Sequence, residues 1–451
     1  MLSDTQKWMI RWVDTMDYDV DKILSSLSEK VDHSELYIQR NKTTEISLLN
    51  DNVNYAKEED VTGLGIRVIN DNRQGFAYTT NIKKLDDVIK QAIKNSTLNS
   101  PDENVAIIEK VSGYKKVNGL YDESVKQLNL QDAIKSCQSM INMVKENDCE
   151  PTSGEYEISM SETTIANSND VCVSESQTAM GASISVNTVD DELFSSAYAY
   201  DVSHKDEIDL EKIVNEATTL AKDSCGGKST QTRDTKVILD YFAAISLLST
   251  FLSALNSENT QRGRSQFADK LGQQVTNENL SISDDATIEG ANRSSMFDDE
   301  GTPSEKTELI KDGILNSFVY DTYHANKDEM DVKTTSNAVR SGYSSVPSVG
   351  FTNLKFDFKD STSIDDIGEG IIVHSVMGAH TANPITGDFS VEARNSFEIK
   401  NGSIANPIKK AMISGNIFKI MEDAIAIKGE SRQVGSCITP KILAKNLRVI
   451  G

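Results

Sequence analysis

A chain of 451 residues, 38% hydrophobic and 25% charged, is too long for one ordinary core and implies two or three folded domains. Its formal net charge of −23 repels phosphate backbones and anionic lipid, which argues against direct nucleic-acid or membrane contact. No apolar run of about 18 residues exists to span a bilayer as a helix.

The N-terminus lacks the basic flank and apolar core of a secretory signal. Residues 4–29 place Trp8, Ile10, Trp12, Val13, Met16, Val20, Ile23 and Leu24 near helical spacing, predicting an amphipathic helix. From Glu35 to Thr80 the period drops to two between Asn, Asp and Gly turns, predicting three to five antiparallel strands. A helix is expected from Leu85 to Lys94, then a long polar connection over 97–126 and a second helix from Leu128 to Lys145. Alternating Ser, Thr, Val and Ile over 153–203 predict long, partly exposed strands. The helix from Leu210 to Asp223 should stop before Cys225-Gly226-Gly227.

Val237-Ile238-Leu239 predicts a short strand leading into a helix from Phe242 to Leu255. The remainder is β-rich, with hairpin turns expected at Asp312-Gly313 and Asn401-Gly402. The fold class is therefore α+β. An N-terminal α/β domain of antiparallel strands and helices is expected over 1–120, with a middle helix and β segment, 121–230, packed against it. Residues 231–451 should form a mostly antiparallel β domain, barrel- or sandwich-like. The five cysteines, at 137, 149, 172, 225 and 437, have no C-x-x-C spacing. They argue against a disulfide framework and a thiolate zinc site, and for a reducing cytoplasm.

The stretch "HSVMGAHTANPITGDFS" holds His374, His380 and Asp388. Six residues apart, the two imidazoles would lie about 240° apart on a helix, or roughly 20 Å apart on a strand. Only a sharp turn at Gly378 could bring them onto one ion, so no metal site is expected. The loop 378–390 is read as lining a peptide channel or a dimer contact. His380, Asn383 and Thr386 are the candidate hydrogen-bonding groups and Asp388 a turn residue, although the loop could equally be a structural corner. Arg340 and Arg394 are candidate anchors for a peptide carboxylate, with surface solvation as the alternative. Asp298-Asp299-Glu300 is read as a solvated turn. No G-x-S-x-G elbow, assignable Ser-His-Asp set or H-E-x-x-H motif is present.

Four blocks, "GLGIRVINDNRQGFAYT", "DDEGTPSEKTELIKDGIL", "GAHTANPITGDFSVEA" and "KNGSIANPIKKAMISGNI", resemble in order the TldD/PmbA family, also called TldD/TldE, some of whose members are named modulators of DNA gyrase. The resemblance implies dimeric assembly and, for TldD-type members, a zinc peptidase that acts on unfolded peptides in an enclosed chamber. Such members carry an H-E-x-x-x-H helix, with two zinc-binding histidines, a glutamate base and a more distal cysteine ligand. Counted back from Gly263 in "TQRGRSQF", those six positions fall on Leu248-Ser249-Thr250-Phe251-Leu252-Ser253. Leu248 and Ser253 stand where the histidines would be, and Ser249 where the glutamate would be. Cys437, in "VGSCITPKI", does not resemble the ligand-bearing loop.

No catalytic or metal residue is therefore carried over. The departure resembles the PmbA/TldE branch, which implies a cofactor-free chain whose TldD-type partner holds the zinc. The expected function is that of a non-metal subunit of a TldD/TldE-type peptidase complex. Alternatives are a homodimeric peptide-binding or chaperone-like protein, and an independent metallopeptidase with unrecognised ligands. Any effect on gyrase would be indirect.

Overall fold

The computed structural model describes residues 18–189 and 194–451. The predicted N-terminal helix is represented there by α1 (Val20–Ser28), whose Val20, Ile23 and Leu27 are buried; residues 4–17 lie outside the described residues. Three long strands follow, β1 (His33–Leu49), β2 (Asn52–Asn70) and β3 (Arg73–Thr79), and then α2 (Leu85–Leu98). A connection without strands, containing a short helix at Glu123–Gln127, leads to α3 (Leu130–Glu146), β4 (Cys149–Asn167), β5 (Cys172–Thr188), β6 (Ser196–Ser203) and α4 (Leu210–Asp223).

The six strands make one antiparallel sheet in the order β3-β2-β1-β4-β5-β6. Period-two alternation decides what each face does. Along β1, Leu36, Ile38, Ile46 and Leu48 are buried on one face. At one end that face packs on α1 and α2 through Leu64, Ile66, Val88 and Ile89. At the other it packs on α3 and α4 through Cys137, Met140, Val214 and Ala217. The opposite face carries Tyr37, Gln39, Asn41, Thr43, Glu45 and Ser47 and is largely polar.

The C-terminal half is built around a closed barrel. Its strands are β7 (Arg233–Leu239), β8 (Glu369–Met377), β9 (Asp388–Lys400), β10 (Ala411–Asn416) and β11 (Ile442–Ile450). They pair in the order β11-β10-β9-β8-β7, and β7 pairs back to β11, which closes the ring. Closure leaves no free edge among these five strands. α5 (Tyr241–Ser253) and α6 (Ile417–Asp423) pack with the barrel in the largest core cluster, with Leu247, Leu248, Phe251, Phe418, Ile371, Val373 and Val391. A second six-stranded sheet of short strands, including Leu280–Asp285, Lys306–Lys311 and Leu354–Phe358, completes this half. The fold is α+β, with a barrel in its C-terminal half.

Both predicted hairpins form. Asp312 and Gly313 have φ of 50° and 80°, and Asn401 and Gly402 have 51° and 75°. Two successive left-handed residues match the right-handed twist of the strands they join. No described helix is long and apolar enough to cross a membrane.

Candidate functional site

The helix on which the family resemblance places the zinc-motif positions is α5. Its N-cap is Asp240, whose carboxylate accepts from the Tyr241 amide at 2.8 Å. The same side chain accepts from Lys441 Nζ at 3.0 Å and lies 3.3 Å from His374 Nδ1. Burial pushes the Asp240 carboxyl upward, but His374 and Lys441 outweigh it and hold it below the usual carboxylate range. The His374 ring also lies 5.3 Å from the Phe242 ring. His374 is thus a strand residue engaged by an aspartate from a distant segment, a pairing with no signal in local spacing.

Further along α5, Leu248 is 1% exposed and belongs to the main core. Phe251, one turn on, packs on Phe267 and Phe418 at ring distances of 5.4 and 5.6 Å. Ser249 Oγ donates to Ser246 O at 2.8 Å and Ser253 Oγ to Thr250 O at 2.7 Å, so both hydroxyls turn back onto their own helix.

Gly378 does supply a sharp turn, with φ of 95°, but the residues beyond it close on themselves. Asn383 Oδ1 accepts from the amides of Ile385 and Thr386 at 2.9 and 3.0 Å. Thr386 Oγ1 donates to Asp388 Oδ2 at 2.8 Å, and Asn416 Nδ2 donates to Asp388 Oδ1 at 2.9 Å. These bonds hold Asp388 below the usual carboxylate range. His380, Asn383, Thr386 and Asp388 are exposed. Gly387, at φ of 81°, sits where a Cβ would come within 2.4 Å of the Phe418 ring, which fixes the loop against α6.

Two expectations are corrected by burial. Asp298-Asp299-Glu300 is not a solvated turn: Asp298 and Glu300 are buried and Asp299 half-buried. Asp298 accepts from the amides of Glu300, Thr302 and Ala338 at 3.0, 2.9 and 3.2 Å. Nor is Arg340 solvated, since its side chain is 1% exposed and ion-paired with Glu35. It also donates to the carbonyls of Asp299 and Ser345, each at 2.9 Å, and lies 4.8 Å over the Tyr37 ring. Arg394 remains at the surface beside Glu392 at 3.4 Å. Backbone partners are abundant enough here to replace water, which a run of three acids does not reveal.

These groups form a buried ionic cluster joining the N-terminal sheet to the C-terminal half. Arg67 holds both Glu35 oxygens, at 3.0 and 2.8 Å, and lies 3.6 Å from Glu300. Burial raises the Glu35 carboxyl, yet Arg67 and Arg340 outweigh it and hold it low. Burial, followed by the nearby Glu300 charge, pushes Asp298 well above its ordinary value. A cavity of about 290 Å³ opens on one side of the cluster, lined by Tyr37, Glu175, Asp299 and Arg340 among others. A second, about 460 Å³, opens on the other side and is lined by Arg67, Glu300, Asp321 and His324. His324 Nδ1 lies 2.7 Å from Asp321 Oδ1. The Glu35–Arg67 pair was readable in principle: the two residues face each other directly in the β1–β2 register.

The sequence matches the description "PmbA/TldA metallopeptidase" in three parts: domain 1 over 34–96, the central domain over 123–224 and the C-terminal domain over 232–451. An uncharacterized protein of Methanocaldococcus jannaschii is 31% identical, covering 95% of this chain and 99% of its own length. The chain belongs to the PmbA/TldD family. A metalloprotease TldD homolog of Buchnera aphidicola is 28% identical over 90% of this chain and 87% of its own. TldE from Thermococcus kodakarensis has the same fold, with a TM-score of 0.89 at 24% identity, over 96% of this chain and 99% of that one.

In this PmbA/TldD chain the residues at the positions the resemblance assigns to the zinc motif do not fit the metal. Leu248 is a packed aliphatic side chain, and Ser249 and Ser253 satisfy their hydroxyls within α5. The Cys437 thiol is buried, which pushes it up to about 11, far from the thiolate a metal needs. Among the described residues, no group of three or more His, Cys, Asp or Glu could hold a metal ion. No hydrolytic step can be routed through zinc on α5.

Proposed function

We propose that this chain is the metal-free, TldE-like subunit of a two-chain peptidase. It pairs with a TldD-type chain carrying H-E-x-x-x-H and helps enclose the space in which unfolded peptides are cleaved. The observation that carries this reading is the chemistry of α5, where a core leucine and two self-bonded serines occupy the positions that would have to supply imidazoles and a carboxylate. Membership of the PmbA/TldD family, whose relatives include a metalloprotease TldD homolog, supports a TldD-type chain as the partner. A reducing, cytoplasmic setting is inferred from five free cysteines.

The test is co-expression with a TldD-type chain that bears the motif. The two should co-elute, and the mixture should cleave an unfolded casein probe while this chain alone, supplied with zinc, should not. Cleavage by this chain alone would overturn the reading in favour of an independent peptidase. A homodimer that ignores the TldD-type chain yet binds the probe would favour a peptide-binding protein instead.

A further inference from the structure

β3 pairs with β2 only over Leu64–Asn70, so from Asn52 to Gly63 the strand has β1 on one side and, among the described residues, no strand on the other. At roughly 3.3 Å per residue this leaves about 40 Å of free edge. From Asn54 to Asp60 every residue is exposed, so among the described residues no helix covers either sheet face there. An edge of this length presents a row of unpaired amides and carbonyls, the template on which extended peptides add as strands.

Charge selects the occupant. On the polar face of the sheet, Glu45 faces Lys57 on β2 and Glu157 on β4, and Glu59 and Glu155 stand at neighbouring positions of the same face. Lys57 is the one cation at these positions, and it is paired with Glu59 at 2.8 Å. The Glu157 carboxyl is pushed up by partial burial and by the Glu155 and Glu45 charges, as expected where acids lack counter-charges. On the other face Asp60 is held by Arg40 at 2.8 Å and lies opposite Lys42, and Glu162 on β4 lies opposite Arg40, so Glu58, Asp60 and Glu162 meet two cations there while the four acids of the first face meet one. Because side chains alternate between faces, a strand docked on this edge meets the larger surplus of negative charge at every second residue. Tyr55, 44% exposed on the acidic face, adds a ring on which a cationic side chain can lie.

We propose that the β2 edge from Asn52 to Gly63 binds an extended peptide segment with Lys or Arg at alternate positions, added as a seventh strand. A second copy of this chain is the wrong occupant. Antiparallel pairing of two identical edges about a two-fold axis keeps the two acidic faces on the same side and brings like charges together. The binding is a property of this chain alone and does not require the pairing with a TldD-type subunit.

The probes are acetylated and amidated ten-residue peptides, one alternating Lys and Thr and one alternating Glu and Thr, titrated into the full chain without any partner. The lysine peptide should bind, with affinity falling as salt rises, and the glutamate peptide should not. N-methylating one alternate set of amides in the lysine peptide should abolish binding while methylating the other set preserves it, because a single edge of the peptide faces β2. The Glu45→Gln/Glu59→Gln variant, which leaves Lys57 without its ion-pair partner, should weaken binding roughly tenfold. Equal binding of both peptides, indifference to both methylation patterns, or no binding of the lysine peptide at millimolar concentration would each overturn the proposal. So would a dimer whose amide-exchange protection covers 52–63, which would assign the edge to a second copy. These readouts involve no proteolysis, so failure here and failure of the proposed subunit role are told apart.

Discussion

Replacing Arg67 by methionine should destabilise the protein by about 3–5 kcal/mol at neutral pH. The figure follows from what the guanidinium holds. Arg67 bonds both oxygens of Glu35 and lies 3.6 Å from Glu300, and none of these three side chains is more than 4% exposed. Methionine keeps most of the volume, so the loss is electrostatic: Glu35 is left with Arg340, and Glu300 loses its near cation. The cost should depend on pH, with a sign fixed by linkage. Glu35 is held low, so its contribution to stability is present above its unfolded value, 4.5, and is lost as pH falls through the folded value. Glu300 is raised by burial and, without Arg67, should rise further. A raised carboxyl favours the fold below its unfolded value and loses that contribution as pH rises through the folded one. The variant's deficit should therefore be largest near pH 7.5 and narrow toward pH 5 as the stranded carboxyls take up protons. Urea unfolding followed by circular dichroism at both pH values measures it. Arg40→Met, which breaks the surface pair with Asp60, is the control and should cost less than about 1 kcal/mol. A deficit for Arg67→Met as small as the control's, or one identical at both pH values, would refute the reasoning.

Two further expectations concern α5. Leu248→Ala should cost about 2–5 kcal/mol by opening a cavity in the main core, whereas Ser249→Ala, at an exposed position, should stay within about 0.5 kcal/mol; thermal unfolding of the two variants separates them. Asp240→Ala removes an N-cap and strands Lys441, and should cost about 1–2 kcal/mol at pH 7. Because the Asp240 carboxyl is held low, that difference should be complete above its ordinary value of 3.8 and be lost as pH falls from there through the folded value, so unfolding at pH 3 should show a smaller difference than at pH 7.

The parts of the fold that were legible in the sequence are those fixed by local periodicity. The α4 bounds, Leu210–Asp223, agree with the expected span because an apolar stripe ends at a Gly pair. The turns at Asp312-Gly313 and Asn401-Gly402 form because Asp, Asn and Gly tolerate the left-handed conformation. What local pattern could not supply was burial created by partners far away in the chain. Asp298 reads as a surface acid until amides from 300, 302 and 338 converge on it. Arg340 reads as a surface base until Glu35, 305 positions earlier, supplies its counter-charge. Spacing argues against pairing His374 with His380 but cannot name the partner His374 does have, Asp240, 134 positions earlier.

The same contrast between local pattern and packing bears on α5. A metal-binding helix must turn imidazoles and a carboxylate toward one point, and those side chains cannot also be packed as aliphatic core. α5 is apolar on most of its circumference, with Ala243, Ala244, Leu247, Leu248, Phe251 and Leu252 all buried. The position that would ligate is thereby committed to packing, with Leu248 in the core beside Phe251, whose ring meets Phe267 and Phe418. Changing Leu248 to histidine would bury an imidazole in an apolar environment that offers it no partner, a cost the core could meet only by rearranging. A gain of zinc chemistry on this helix would therefore require several core substitutions together, not a restored motif alone.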